Sequence, residues 1–182
     1  MRTATKKKRT GAGDDEVAEG GSLGLKQVQR RFTASGYDLS AHPAHVIRRA
    51  HQRATMCFQE VVSERNLTPT QMAALATIMK YGELSQNRLG RLTAMDPSTI
   101  SIVVRKLLKL GLVVRSNAAH DQRLSMVRLT RKGVRYTLPL LTQSVEVGRR
   151  VLSPLTPDEQ EIFLELLNKV AGTPVAEPET DD

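Results

Sequence analysis

Residues 96–130, DPSTISIVVRKLLKLGLVVRSNAAHDQRLSMVRLT, leave this chain few ways to fold. Asp96 can cap a helix, and Pro97 suits the first helical position, where no N–H is needed. Ile100, Val103, Val104, Leu107, Leu108 and Leu110 recur at helical spacing, and Gly111 ends the run as a helix stop. Leu112–Arg115 then reads as a short strand and Ser116–Arg123 as a polar loop. Leu124–Thr130 reads as a second strand, with Leu124, Met126 and Leu129 set imperfectly against Ser125 and Arg128. Helix, strand, basic loop, strand is a winged-helix pattern.

The helix face opposite the apolar stripe carries Ser98, Ser101, Ile102 and Arg105, spaced to meet one partner. Hydroxyls suit base edges or phosphates, an aliphatic suits a thymine methyl, and Arg suits guanine. By itself such a face is also an ordinary solvated surface. The surrounding charge favours a partner. Eleven Lys or Arg lie between Arg88 and Arg135 against two acids, Asp96 and Asp121, a net +9. The whole chain carries +8, so the excess sits on this unit and the remainder is nearly neutral. Segregated positive charge is the footprint of a polyanion binder, whereas a merely solvated surface interleaves both signs.

Aromatic residues make up 3% of the 182 residues and Trp is absent, which leaves too few rings for base stacking as the main binding mode. That disfavours single-stranded or RNA recognition and favours duplex DNA. A single Cys, Cys57, excludes an intramolecular disulfide framework and fits a reducing cytoplasm. No apolar run reaches the ~18 residues of a membrane span. Lys6–Arg9 has no apolar stretch after it and so is not a secretory signal. Phosphate-loop, H-E-x-x-H and nucleophile-elbow motifs are missing, which argues against an enzyme. No cofactor is expected.

Along the chain, residues 1–22 have almost nothing to bury and read as a disordered tail, as do the acid-rich residues 173–182. Leu25, Val28 and Phe32 suggest a short helix ending near Gly36 that must dock on something. Pro43 opens a long helix to about Arg65, striped by Ile47, Ala50, His51, Ala54, Cys57, Phe58, Val61 and Val62. Thr68-Pro69 with Gln71 is a capping-box start, and the helix it opens ends at Tyr81-Gly82. Ser85 caps a third helix, and Thr93-Ala94-Met95 turns into the Asp96 helix, a helix-turn-helix whose second member reads DNA. Residues 131–151 keep helical spacing through Pro139, where a kink or restart is expected. Thr156-Pro157-Asp158-Glu159 starts the last helix, which Gly172 ends.

The expected architecture is mainly α with a small β-hairpin wing. Residues 67–132 form the winged helix-turn-helix DNA-binding domain, and the helices of 23–66 and 133–172 serve dimerisation. A winged helix alone needs roughly 70–80 residues, so the flanking apolar stripes need a partner. Pairing two chains through them places two reader helices one duplex turn apart, about 34–36 Å.

From Pro43 to Gly172 the sequence resembles the MarR family of bacterial winged-helix regulators. The resemblance is carried by Leu67-Thr68 with Gln71, by Asp96 to Val113, by Asp121-Gln122-Arg123 and by Leu129-Thr130 with Gly133, in order and spacing. It implies an obligate homodimer, wings at the minor groove, and repression relieved by a small aromatic or phenolic ligand. Ser98, Thr99 and Ser101 match its reader positions, Arg123 its wing-tip arginine, and Asp121 the acid that orients it. Ile102 stands where an Arg is common and Arg105 where an acid is common, so no operator sequence carries over. The residues expected at DNA are Ser85, Pro97, Ser98, Thr99, Ser101, Ile102, Arg105, Lys106, Arg115, Asp121 and Arg123.

Ile47-Arg48-Arg49-Ala50-His51-Gln52 is similar to a subgroup controlling catabolism of aromatic or heteroaromatic acids. The resemblance implies a pocket where the long first helix, the next helix and the helix after the wing meet. His51, on an otherwise apolar stripe, is either a core imidazole satisfied by a backbone carbonyl or by the other subunit, or a donor to an acidic ligand. Arg48 or Arg49 supplies charge in the second reading, and Met72, Met95 and Tyr136 a soft wall. The expected partners are therefore double-stranded DNA, a second copy of the chain and an aromatic-acid effector, with no membrane. An activator, a redox sensor through Cys57, a metal sensor through His42, His45 and His51, and an effector-free structural DNA-binding protein remain alternatives. The three His do not share one helical face, and Cys57 lies on the core stripe.

Overall fold

The computed structural model describes residues 24–63, 66–117 and 125–172. Residues 1–22 and 173–182, expected to be disordered, and the loop residues Asp121, Arg123 and Leu124 lie outside them. The chain forms two compact units, residues 1–46 and 47–182.

In the first unit, α1 (Leu25–Ala34) ends before Gly36, whose φ of +66° lies in the left-handed region. None of its residues is buried, and Leu25 is 79% exposed. Phe32 packs edge-on against Tyr37 at 6.0 Å between ring centroids, and Tyr37 lies 5.6 Å from His42.

The larger unit is organised on α3 (Pro69–Tyr81), which follows α2 (Pro43–Val61). Thr68 and Gln71 form the reciprocal capping box, and Met72, Ala74, Leu75 and Ile78 of α3 are buried. Around it pack α4 (Gln86–Leu92), α5 (Pro97–Lys109), the strands β1 (Leu84–Ser85), β2 (Val113–Asn117) and β3 (Ser125–Leu129), and α6 (Arg131–Leu152). The shared core draws Leu84, Leu89, Ile100, Val104, Leu107, Leu112, Val127 and Leu140 from six segments of the chain, each at 2% exposure or less. Full burial of such side chains stabilises by about 1.5–3 kcal/mol each. The last helix, α7 (Pro157–Ala171), has its capping box on Thr156 and Glu159 but buries no residue in the chain itself.

The sheet is antiparallel in the order β1-β3-β2. Leu84 faces Val127 and Ser85 faces Met126 on one side, while Val113 faces Leu129 and Arg115 faces Val127 on the other. The two-residue β1 went unread in the sequence because two residues show no periodicity. The wing strand also runs further than expected, through Asn117 rather than ending at Arg115. Helix α6 continues through Pro139 without a restart. The hydrogen bond that proline cannot donate to Arg135 lies at an exposed position, where water can satisfy the carbonyl.

The junction from hairpin to α6 is tied closely. The Thr130 hydroxyl donates to the Gly111 carbonyl at 2.8 Å and accepts from the Gly133 N–H at 2.9 Å. Lys132 Nζ donates to the Leu110 carbonyl at 2.8 Å, placing a cation at the carboxyl end of α5. A β-carbon on Gly133 would lie 1.9 Å from the Leu112 carbonyl oxygen. Thus L-T-x-x-G is a packing requirement: Thr caps α6 while Gly lets it touch the backbone that follows α5.

Candidate nucleic-acid interface

The reader helix is aimed by its own burial pattern. Ile100, Val103, Val104 and Leu107 of α5 face the core, which turns Ser98, Ile102, Arg105 and Lys106 outward. Ile102 is a large aliphatic left 64% exposed. Ser101 and Thr99 are half-buried at the edge of that face. Pro97 is exposed at the first turn. The turn before it places Ala94 at φ +51° and ends on Asp96.

The Asp96 side chain does more than cap. Its Oδ1 accepts from the N–H groups of Ser98 and Thr99, both at 2.9 Å. It also accepts from the Ser98 hydroxyl, while Oδ2 accepts from the Thr99 hydroxyl. These bonds, led by the two hydroxyls, hold the carboxyl far below the usual carboxylate range. A carboxylate lowered in this way keeps its bonds at neutral pH and loses them only in strong acid. Sequence reading found the cap but not this grip on the two expected readers.

Ser85 is half-buried, and its hydroxyl caps α4 by accepting from the Arg88 N–H at 3.3 Å. Arg115 is exposed on β2 and donates to Gln86 Oε1 at 3.2 Å, tying the wing strand to α4. Ser116 on the same strand donates to Glu83. Asp121 and Arg123, the expected wing-tip pair, lie outside the described residues.

Charge is distributed as the sequence anticipates. The cations near the carboxyl ends of α6 and α7 are paired: Arg149 with Glu146 at 2.9 Å, Arg150 with Glu146 at 3.0 Å, and Lys169 with Glu165. By contrast Arg105, Lys106, Lys109 and Arg128 are exposed and have no acidic partner among the described residues. Opposed cations without counter-charges on one head are what a phosphate backbone would neutralise.

The residues expected around an effector do not converge in the single chain. Met72 is buried in the core, and Met95 and Tyr136 pack against it. Arg48 and His51 are exposed on α2. Of the readings of His51, a core imidazole satisfied within the single chain is therefore corrected. Only from Cys57 onward does α2 bury side chains, and Ile47 remains 44% exposed. An open groove of about 470 Å³ instead lies between α2 and α6, lined by Arg49, Gln52, Arg53, Met56, Cys57, Glu60, Arg150 and Ser153. Arg53 there donates to the Arg150 and Val151 carbonyls at 3.1 and 3.2 Å, closing the end of α6, a link no sequence pattern signals. Among the described residues no three His, Cys, Asp or Glu side chains converge as a metal site. No described helix is long and apolar enough to cross a membrane.

A helix-turn-helix followed by an antiparallel hairpin, with a cationic outward face, defines a winged-helix DNA-binding protein. The comparisons narrow the class. A MarR-family model matches residues 65–124. The transcriptional repressor NicR of Pseudomonas putida is 30% identical over 134 residues, which cover 74% of this chain and 85% of NicR. The chain belongs to the MarR family of transcriptional regulators and, like that family, is a DNA-binding regulator rather than an enzyme. Among solved structures, BpsR of Bordetella bronchiseptica matches with 26% identity and a TM-score of 0.71, over 75% of this chain and 98% of that one. Its DNA binding is regulated by 6-hydroxynicotinic acid. PcaV of Streptomyces coelicolor, solved with its natural ligand, matches with 33% identity and a TM-score of 0.69, over 74% and 95%.

Proposed function

We propose that the chain is a homodimeric repressor that binds a pseudo-palindromic duplex site and is released by a small aromatic or heteroaromatic acid. The observation that carries the DNA reading is the set of unpaired cations around an outward α5 face. In this reading Ser98, Thr99, Ser101, Ile102 and Arg105 meet base edges, with Pro97 and Lys106 beside them and Ser85 holding α4 in place. Arg115 and the wing pair Asp121 and Arg123 approach the minor groove, where narrow A·T tracts attract Arg. Arg105→Ala is expected to relax preference at particular bases by roughly 1–3 kcal/mol. Competition binding over operator variants checks it, and equal losses on every variant would remove Arg105 from base reading.

Dimerisation is supported by faces the chain leaves uncovered: Val145 at 75%, Ile162 at 57%, Leu166 at 55% and Val170 at 71% exposure. On a two-fold partner these stripes are buried and the two heads take a fixed spacing. An effector shifts that spacing only by binding one arrangement better than the other.

The effector reading is supported by the similarity to BpsR, PcaV and NicR; in it Arg48 and His51 meet the acid, while Met72, Met95 and Tyr136 remain the expected apolar wall. His51, open in the single chain, is available to donate to an acid once a partner encloses it. Calorimetry with 6-hydroxynicotinic acid and related aromatic acids is expected to show binding that His51→Ala weakens at least about tenfold, the worth of one bond to a charged group. Unchanged affinity and unchanged release from DNA would remove His51 from the site.

A further inference from the structure

We infer that Asp96 is a specificity-determining positioning residue: it holds the hydroxyl protons of Ser98 and Thr99, so both oxygens face DNA as acceptors and select bases with an exocyclic amine, adenine or cytosine. The inference rests on the reading that α5 enters the major groove.

The argument is one of proton accounting. Ser98 Oγ lies 2.5 Å from Asp96 Oδ1, and Thr99 Oγ1 lies 2.5 Å from Oδ2. An ionised carboxylate can only accept, so each hydroxyl must spend its single proton on Asp96. What remains on each oxygen is lone pairs. In the major groove the donors are adenine N6 and cytosine N4, whereas guanine O6 and N7, thymine O4 and the phosphates are all acceptors. A serine or threonine that ordinarily reads either kind of edge is here restricted to one. Asp96 touches no base in this scheme and acts through its two neighbours. The two N–H bonds to Oδ1 fix the carboxylate plane and hence which oxygen each hydroxyl meets.

That geometry supplies a test that separates base selection from capping. In Asp96→Asn the backbone N–H groups of Ser98 and Thr99 repel an amide nitrogen, so the amide oxygen takes the Oδ1 place and the nitrogen takes the Oδ2 place. Asn caps helices as well as Asp does, so α5 is retained. Ser98 still donates to the oxygen. Thr99 now accepts from the amide and its own proton is released toward the groove.

The experiment is competition binding of the full chain to a library carrying every single-base change of its operator, with melting temperature as a fold control. The wild-type chain is expected to prefer an amine-bearing base at two positions in each half-site. Ser98→Ala should lose the preference at one, and Thr99→Val at the other. Asp96→Asn should reverse it only at the Thr99 position, by roughly three- to tenfold, the worth of one hydrogen bond. Loss of a negative charge also raises affinity for every sequence, so the ratio between bases is what is read. An unchanged base profile in Asp96→Asn, with or without a uniform change in affinity, would overturn the inference alone. Preferences that survive Ser98→Ala and Thr99→Val would do the same. A flat wild-type profile would overturn it together with the major-groove reading.

Discussion

Gly133→Ala is expected to destabilise the chain by about 3 kcal/mol or more, read as a fall in Tm of roughly 6–12 °C by circular dichroism. The added methyl would stand 1.9 Å from the Leu112 carbonyl oxygen, 2.9 Å from its carbon and 3.2 Å from Leu129 Cδ2. Two of these three are backbone atoms in the link between α5 and β2, and cannot swing aside. The same carbonyl also accepts the Thr130 N–H at 3.0 Å, so moving it breaks the hairpin junction. Gly148, in the same helix, has nothing within 4 Å of the corresponding position. Gly148→Ala should therefore gain up to about 1 kcal/mol from the reduced entropy of the unfolded chain and higher helix propensity. If the two substitutions behaved alike, the close contact of α6 with the reader helix would be wrong.

Raising salt from about 50 to 200 mM is expected to weaken duplex binding on the order of 10⁴–10⁵-fold, with a log–log slope of about −7 to −9. Arg105, Lys106, Lys109 and Arg128 are exposed without acidic partners among the described residues, and two copies double the count. With the wing residues this allows about 8–10 phosphate contacts, each releasing a counterion. Fluorescence anisotropy over a salt series measures the slope. A slope near −2 would mean that the positive head is an incidental surface.

Much of this architecture was legible in the sequence because the signals are local. Asp96-Pro97, Thr68-Pro69 with Gln71, and Thr156-Pro157 with Glu159 mark helix starts through side-chain-to-backbone bonds within three residues, and all three form. The apolar stripe of α5 sets its outward face by elimination. What escaped the sequence depends on distant partners. Leu84 joins a sheet only because Val127 arrives beside it, forty-three residues later. Gly133 and Lys132 acquire meaning from Leu112 and Leu110, and Arg53 from the end of α6. His51 shows the converse: helical spacing puts it on an apolar stripe, but a stripe is buried only where something covers it, and among the described residues His51 stays exposed. Ser98 and Thr99 were legible as readers, whereas the direction of their hydroxyl protons needed the position of Asp96.

Sedimentation of the purified full-length chain, alone and on a duplex recovered by footprinting it on genomic DNA, tests the account at its centre. Two chains in free solution and two on each duplex are expected, with the complex dissolving as salt rises. A single chain that leaves double-stranded DNA unbound in dilute buffer would contradict it.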